Sequence, residues 1–454
     1  MPPRMMTVVD RLRQDVTAVL TPEAIEGACR QARHSWRNRL LDPATTISLF
    51  ILQVLHGNTA CQHVVQFGLR AFTDVAYCAA RRRIPLAVFQ QLLQSVADTM
   101  RQSTTTASTW FGHRVWILDG SGFSMSDTPE LQRHFGQPGN QRPGRGFPVA
   151  KFLALFDLAT GMLPRIESAP LRSHDMSRAA VATAGLEPGD VVLGDRGFCS
   201  YAHLAILHNR KLHGVFRIHQ RQIVDFTPGR PFATKGKAKG ARKSPPGLPH
   251  SRWVLAHDES DHVVIWYKPT QHPAWITQED YAKLPDELRV RELRYKVQSP
   301  GFRVSAVTLV TTLLDASVYS ASALVELYFR RWQIEVDFRH LKTTMKMDVL
   351  RCKTVEGVLK ELAVYALVYN LVRSVMYESA RFQGVAAERV SLLDAVRWLL
   401  SPAGEGDVSK LVVNPARPGR FEPRVVKRRP KEYPLMTRPR AELRKALLGK
   451  PVAA

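Results

Sequence analysis

The sequence predicts an α/β fold, in which a core of strands and helices is interrupted by a mainly β insertion. A helical N-terminal domain precedes this core, and a helical, basic C-terminal region follows it. Three features predict this: alternating strand-like and helical patterns over residues 109–219, strand-like runs over residues 220–316, and helical spacing on both sides. The expected segments are 1–108, 109–219, 220–316, 317–380 and 381–454, of which the second and the fourth form the core.

The N-terminal domain is predicted to be helical and to bind DNA. Its apolar run Pro43–His56 ends at Gly57, and Leu86–Met100 has helical periodicity. A basic cluster, Arg81–Arg83, lies between the two. Such a cluster on a short helical module can contact DNA phosphates, or it can be the solvated end of a helix. The sequence leaves both interpretations open.

The first part of the core alternates strands with helices. In chain order, the predicted elements are the strand Val115–Leu118, the hairpin Phe152–Leu158 and Met162–Ile166, the helix Ser173–Gly185, the strand Val191–Leu193, the helix Tyr201–Arg210 and the strand Gly214–Ile218. Three strands, a helix, a strand, a helix and a strand in this order are typical of an α/β layout.

Strand-like runs fill the insertion, and helices return after it. The predicted strands are Trp253–Ala256, Val263–Tyr267, Val290–Val297 and Val304–Val310, with a basic, glycine-rich loop at 234–243. The predicted helices are Ser320–Met347, Val355–Glu378 and Ser391–Leu400. The residues that follow are rich in proline and arginine, and they are too poor in apolar side chains to form a core of their own.

The charge balance points to a polyanionic partner. The chain of 454 residues has 64 Lys and Arg against 40 Asp and Glu, a formal net charge of +24. Nucleic acid is the first candidate and an anionic membrane surface is the second. A membrane-spanning helix needs about 20 apolar residues, and the apolar stretch Leu362–Tyr369 already ends at Asn370. No apolar segment typical of a secretion signal follows Met1, so we expect a cytoplasmic protein.

The five cysteines are predicted to be reduced thiols. Their number is odd, their positions are widely spread, and no two of them are spaced as C-x₂-C. We therefore expect neither a disulfide framework nor a zinc ribbon.

Two aspartates are candidates for a functional site because each follows a short apolar strand. Asp119 follows Val115–Leu118 and precedes a glycine, and Asp195 follows Val191–Gly194. Functional side chains converge at strand ends in α/β sheets, and glycine lets a ligand approach the backbone closely. An ordinary turn is the alternative interpretation for each aspartate alone.

A stripe of polar residues marks the predicted helix near residue 330. With an advance of about 100° per residue, Tyr328, Arg331, Glu335 and Lys342 fall on one narrow face that borders the apolar face. This placement predicts charges at the margin of a cleft. The alternative is a ladder of exposed ion pairs between Glu335 and its neighbours Arg331 and Arg339, each contributing about 0.2–0.5 kcal/mol.

Two Asp and one Glu form a donor set that suits Mg²⁺ or Mn²⁺. A site with two such ions can activate a water or a 3′-hydroxyl and stabilise the leaving oxygen of an in-line phosphoryl displacement. Arg331 and Lys342 beside the carboxylates would hold phosphate oxygens, and Tyr328 would donate a hydrogen bond to a phosphate.

The pattern Y-x₂-R-x₃-E-x₆-K, formed by Tyr328, Arg331, Glu335 and Lys342, resembles the signature of the DDE transposases of the bacterial insertion-sequence-four family. The resemblance covers about residues 30–435. It implies a ribonuclease-H-like core whose catalytic triad is Asp119, Asp195 and Glu335. The triad would bind two Mg²⁺ ions per active site, for which Mn²⁺ can substitute, and the other three residues of the pattern would bind DNA. Ser121 departs from the pattern, because Thr is common at that place in such enzymes.

The resemblance also implies a function. Such an enzyme binds the terminal inverted repeats of its element as a homodimer on paired ends of double-stranded DNA. It then nicks the strands and joins them to target DNA, with or without a hairpin intermediate, in the bacterial cytoplasm at the nucleoid. Two alternatives stay open: a structure-specific or RNA-hybrid nuclease on the same core, and a catalytically inactive DNA-binding relative.

Overall fold

The computed structural model describes residues 20–68, 70–102, 109–139, 145–231, 247–296, 306–401, 406–416 and 438–448. The predicted glycine-rich loop at 234–243 and most of the basic C-terminal tail lie outside these ranges.

The N-terminal region is helical, as the sequence predicts. Its helices are α1 (Pro22–Gln31), α2 (Pro43–Leu55), α3 (Cys61–Val64), α4 (Asp74–Arg83) and α5 (Leu86–Gln102). Side-chain caps start three of them: the oxygens of Thr21, Asp42 and Thr73 accept backbone N–H groups of the first turns. The predicted helices in this region are confirmed to within two residues at each end.

All the described strands belong to one ten-stranded sheet. They are β1 (Val115–Met125), β2 (Val149–Asp157), β3 (Arg165–Pro170), β4 (Val191–Gly194), β5 (His213–Arg217), β6 (His250–Asp258), β7 (Asp261–Tyr267), β8 (Glu287–Lys296), β9 (Ala306–Thr311) and β10 (Val349–Leu350). The strand order is β3-β2-β1-β4-β5-β9-β8-β7-β6, and β10 pairs with β1. The pairs β1–β4, β4–β5 and β1–β10 are parallel, and the others are antiparallel.

The strands predicted for the insertion extend the core sheet. Strand β9 pairs with the core strand β5 on one side and with β8 on the other, and β7 and β6 follow outward. Four described helices lie between β1 and β8 in the chain: α6 (Pro129–Phe135), α7 (Met176–Ala182), α8 (Tyr201–Asn209) and α9 (Gln278–Ala282). The predicted hairpin is confirmed as the antiparallel pair β2–β3.

The predicted continuous helix Ser320–Met347 was wrong. The chain instead forms α10 (Ala321–Arg330), α11 (Gln333–Arg339) and a π-helical turn at His340–Thr344. The break occurs because the backbone tightens: the N–H groups of Arg331, Trp332, Ile334 and Glu335 each bond to the carbonyl three residues earlier.

The late helices are α12 (Val355–Gln383), α13 (Leu392–Leu400) and α14 (Arg440–Leu448). Helix α12 is buried along most of its length and packs against α5 and α2. The side-chain amide of Asn370 bonds to both backbone groups of Leu163 in the β2–β3 turn. In the same turn Gly161 has φ +68°, and the Arg373 guanidinium fills the space that a Cβ would need. Among the described residues, no helix has the length and apolar character needed to cross a bilayer.

Two hydrophobic clusters cover the two faces of the sheet. Val115 and Ile117 face the cluster that contains α12 and the N-terminal helices. Trp116 and Leu118 face the cluster that contains α7 and α8. This alternation is what a strand with both faces buried requires. The five cysteines are free thiols, as predicted.

Candidate active site

The sequence predicted Asp119 just after the end of its strand. In the structure, Asp119 lies near the middle of β1. Strand β1 continues to Met125 because it stays paired with β2, where Asp119 is opposite Ala154. The parallel neighbour β4 ends earlier, with Gly194 opposite Leu118. Asp119 and Asp195 are therefore the first residues after the stretch in which β1 pairs with β4, and the register of that pairing places them side by side.

A backbone N–H group fixes one oxygen of each aspartate. The Gly120 N–H donates to Asp119 Oδ1 at 2.8 Å, and the Gly197 N–H donates to Asp195 Oδ1 at 2.7 Å. A Cβ at Gly197 would come within 3.0 Å of Asp195 Oδ1, so glycine permits this close approach. The other oxygen of Asp119 accepts a hydrogen bond from Arg331 Nη1 at 3.2 Å.

The charges of the other two candidate carboxylates act on Asp119. Burial raises the pKa of Asp119 to about 6, and the negative charges of Asp195 and Glu335 act in the same direction. The Gly120 N–H and the Arg331 guanidinium lower that pKa. Within the described part of the chain, however, no group of three or more His, Cys, Asp or Glu side chains is close enough to hold a metal ion. The arrangement is therefore a concentration of negative charge that Arg331 offsets.

Arg331 contacts Asp119, and the charge of Asp195 acts on Tyr328. Tyr328 is only 4% exposed, and burial raises its pKa, with the charges of Asp195 and Arg331 acting in opposite directions. The Arg331 Cζ lies 5.8 Å from the Tyr328 ring centroid and 5.0 Å from that of Trp332. Arg331 is itself 8% exposed, and its buried Nε has no hydrogen-bond partner in the described structure. Aromatic rings and Asp119 thus hold the guanidinium at the site.

Lys342 reaches the same site from the π-helical turn. Its Nζ donates a hydrogen bond to Ser121 Oγ at 3.0 Å, two residues beyond Asp119 on β1. Glu335 makes no ion pair with Arg331 or Arg339 in the described structure, and Arg331 pairs with Asp119 instead. The exposed ladder of ion pairs, the alternative that the sequence left open, is therefore not formed.

Two further residues belong to this region, and the sequence analysis did not identify them. The Asp175 carboxylate lies next to Gly120, where a Cβ would be 3.8 Å from Asp175 Cγ, and it pairs with Lys151 Nζ at 3.1 Å. Arg217, at the end of β5, acts electrostatically on Tyr328. Arg217 was detectable in principle, because β5 is the next parallel strand after β4. Asp175 has no sequence signal, since it reaches the site only through the folding of the β3–α7 connection.

Comparison with known proteins assigns the family of this chain. Residues 110–371, more than half of the chain, match the family described as Transposase DDE domain, and the chain belongs to this family. It is 24% identical over 379 residues to the "Transposase InsG for insertion sequence element IS4" of Escherichia coli (strain K12), which covers 79% of this chain and 77% of that protein. The predicted resemblance to DDE transposases is thereby confirmed at the level of the family.

One solved structure is also similar. It is a cryo-EM structure of the piggyBac transposase synaptic complex with hairpin DNA, with a TM-score of 0.40 and 10% sequence identity. The likeness covers 87% of this chain and 79% of that one.

Proposed function

We propose that this protein is the transposase of a bacterial insertion sequence. It binds the terminal inverted repeats of its element, nicks the DNA at the ends, and transfers the resulting 3′-hydroxyl ends into target DNA, with or without a hairpin intermediate. The observation that carries the proposal is the placement of Asp119 beside Asp195, with the charge of Glu335 acting on Asp119. Family membership and the similarity to an insertion-sequence transposase support it.

The catalytic residues in this proposal are Asp119, Asp195 and Glu335, which would hold two Mg²⁺ ions or Mn²⁺ in their place. The donor types suit a hard cation, since the set has three carboxylates and no thiolate or imidazole. To share one ion, the three side chains must approach more closely than they do among the described residues. Bound there, the ions would activate the attacking oxygen and stabilise the leaving one. A cation shared by the carboxylates must compete with the ion pair between Arg331 and Asp119.

The remaining residues of the pattern would bind the DNA strand. Once released from Asp119, the Arg331 guanidinium can hold two phosphate oxygens as a planar fork, and Lys342 can act as a point charge. The Tyr328 hydroxyl can donate a hydrogen bond to a phosphate near the cut. Arg331 contacts Asp119, Lys342 bonds to Ser121 two residues further along β1, and the charge of Asp195 acts on Tyr328.

The wider structure supports the same proposal. The strand order β3-β2-β1-β4-β5, with β1, β4 and β5 parallel, is the order expected of a ribonuclease-H-like core. The net charge of +24 suits double-stranded DNA as partner. Joining two ends requires that both be held together, so we propose a homodimer on paired ends, acting in the cytoplasm at the nucleoid.

Glu335→Gln tests the catalytic assignment. The substitution removes one negative charge with little change of shape, so we expect unchanged binding of the terminal repeats and loss of Mg²⁺-dependent nicking. Glu326→Gln, an exposed carboxylate on α10, is the matched control and should nick normally. Full nicking by the Glu335 variant would refute the triad.

A second assay separates the proposal from its alternatives. Pre-cut element ends and a plasmid target are incubated with the wild-type protein and Mg²⁺. Joined products support a transposase. Nicking without joining, across ends taken from the DNA that flanks the gene, supports a nuclease on the same core. Neither reaction, together with absent Mn²⁺ binding, supports an inactive DNA-binding relative.

A further inference from the structure

A cavity lies in the N-terminal helical region, and its lining contains none of the candidate catalytic residues. Its volume is about 520 Å³, within the range of pockets that bind small molecules. The cavity is bounded by the segment that follows α1, the first turn of α2 and the end of α4. We call it the N-terminal pocket.

The mouth of the N-terminal pocket is cationic. Arg37, Arg39 and Arg83 line it, all three are exposed, and the lining contains no carboxylate. None of the three arginines forms an ion pair with a described carboxylate. The charge of Arg83 also acts on the neighbouring His34, whose pKa is lowered by burial first and then by Arg83 and Lys360. Three unpaired guanidinium groups around one opening favour a ligand with phosphate oxygens.

One wall of the pocket is aromatic. The rings of His34 and Trp36 stack with centroids 6.0 Å apart and planes inclined by 22°. Both side chains are half-buried, and Trp36 packs against the main hydrophobic cluster. A fixed indole beside guanidinium groups is a platform on which a flat heterocycle can stack.

A buried hydroxyl without a partner lines the pocket from inside. Thr46, in the first turn of α2, is 1% exposed, and its Oγ1 forms no hydrogen bond in the described structure. Nearly all buried polar groups are hydrogen-bonded, because an unpaired one costs free energy. The Thr46 residue borders the cationic cavity, but its Oγ1 is closed to solvent in this structure. A ligand atom therefore reaches the hydroxyl only when the lining shifts, and the unmet hydrogen bond favours that shift.

We propose that the N-terminal pocket binds a single nucleotide unit. The base packs on Trp36 and forms a hydrogen bond with the Thr46 hydroxyl, and the phosphate pairs with Arg37, Arg39 and Arg83. A bare phosphate would leave the hydroxyl without a partner and would make no use of the aromatic wall. The nucleotide can come from an unpaired residue of a DNA strand or from a free nucleotide in solution. The proposal does not depend on strand cutting, so it can be tested independently of the catalytic carboxylates.

The first experiment uses the full chain in EDTA, so that no DNA is cut. Binding is measured by calorimetry for deoxynucleoside 5′-monophosphates, and by fluorescence anisotropy for a labelled blunt duplex and for the same duplex with a single-stranded overhang. The variant Arg37→Ala/Arg39→Ala should weaken binding of the overhang or of the monophosphates by about tenfold. Arg70→Ala/Arg289→Ala removes two exposed arginines elsewhere and is the matched control.

The two arms identify the source of the nucleotide. A preference for the overhang over the blunt duplex that the Arg37→Ala/Arg39→Ala variant abolishes indicates an unpaired DNA nucleotide. Saturable binding of monophosphates without that preference indicates a free nucleotide. Equal losses in this variant and in the control would overturn the proposal, because they would mean that only total charge matters.

Thr46→Val separates recognition of the base from recognition of the phosphate. Valine keeps the shape and removes a hydroxyl that has no protein partner, so the ligand-free melting temperature should not fall. Affinity for the nucleotide should fall about fivefold or more, and affinity for deoxyribose 5-phosphate should not change. A lower melting temperature with unchanged nucleotide affinity would show that the hydroxyl is structural, and it would overturn the proposed base contact.

Discussion

Arg331 determines the charge balance of the candidate active site. Burial, together with the charges of Asp195 and Glu335, raises the pKa of Asp119 to about 6. The Arg331 guanidinium opposes this effect through its contact with Asp119 Oδ2 at 3.2 Å. A buried carboxylate that loses its cationic partner keeps the cost of desolvation without the compensating attraction. Arg331 thus stabilises the metal-free arrangement of the carboxylates.

Arg331→Gln should therefore destabilise the metal-free protein by about 1–3 kcal/mol. Because the substitution also removes the competitor for Asp119, we expect Mg²⁺ to raise the melting temperature of the variant more than that of the wild type. Thermal unfolding in EDTA and in Mg²⁺ measures both effects. Arg330→Gln, at the exposed neighbouring position, is the control. An identical Mg²⁺ shift in wild type and Arg331 variant would contradict the competition.

At the residue scale, the sequence predicted which side chains belong to the site and not how they pair. Tyr328, Arg331, Glu335 and Lys342 were predicted together because they share one helical face. The contact of Arg331 with Asp119 and that of Lys342 with Ser121 join residues more than 200 positions apart. Such pairs depend on the register between β1 and β4 and on the path of α10 and α11, which no local pattern specifies.

At the element scale, the break between α10 and α11 is the main departure from the sequence prediction. Apolar and polar spacing continues smoothly through Arg331 and Trp332, so periodicity alone indicates one helix. In the structure, backbone N–H groups near Arg331 bond to the carbonyl three residues earlier, and a π-helical turn follows Arg339. Both changes appear where side chains must reach β1. Arg331 and Trp332, at the break, are neither glycine nor proline, so the sequence contains no helix-breaking residue there.

Asn370 is the polar link between α12 and the β2–β3 turn. It is fully buried, accepts from the Leu163 N–H at 2.8 Å and donates to the Leu163 carbonyl at 3.0 Å. Asn370→Ala leaves both backbone groups unpaired, and we expect a loss of about 2–4 kcal/mol in the free energy of unfolding. Urea denaturation measures it. Asn209→Ala, at the exposed end of α8, should change stability by less than about 0.5 kcal/mol; a similar effect of both variants would contradict the role of Asn370.

His203 makes helix α8 sensitive to acid. It is 1% exposed, its Nδ1 bonds to the Phe198 carbonyl at 2.8 Å, and burial lowers its pKa to about 4. The unfolded chain binds a proton near pH 6.5 and the folded one only near pH 4, so stability is complete above pH 6.5 and decreases as the pH falls. The loss reaches about 3 kcal/mol.

His203→Asn keeps a donor for the Phe198 carbonyl and cannot be protonated in this range. It should lower stability at pH 7 through lost packing, and the difference from the wild type should shrink as the pH falls to 4. Unfolding free energies between pH 7 and pH 4 measure this difference. His208→Asn, at an exposed histidine of the same helix, should leave the pH dependence of the wild type unchanged. A constant difference across the range would contradict the burial argument.

At the scale of the whole molecule, the continuity of the sheet was not predictable from the sequence. Each insertion strand was predicted from its local pattern, but the pairing of β9 with β5 joins segments separated by about ninety residues. Sheet pairing over such distances depends on which strand edges remain unpaired after the core has formed, and periodicity does not contain that information. The sequence therefore predicted the elements of the insertion and left their place in the sheet open.

The net charge of +24 predicts that DNA binding depends strongly on salt. Residues 417–454 hold twelve Lys and Arg against three Asp and Glu, in a stretch with too few apolar residues to form a core. If the tail contacts phosphates, ending the chain after residue 416 should make the slope of log K against log salt concentration shallower by about 4. Anisotropy with a random-sequence duplex in EDTA, between 50 and about 300 mM salt, measures the slope. A chain that ends after Leu448 is the control. An unchanged slope would assign the phosphate contacts to residues before 417, where the arginines of the N-terminal pocket and the site around Arg331 are candidates.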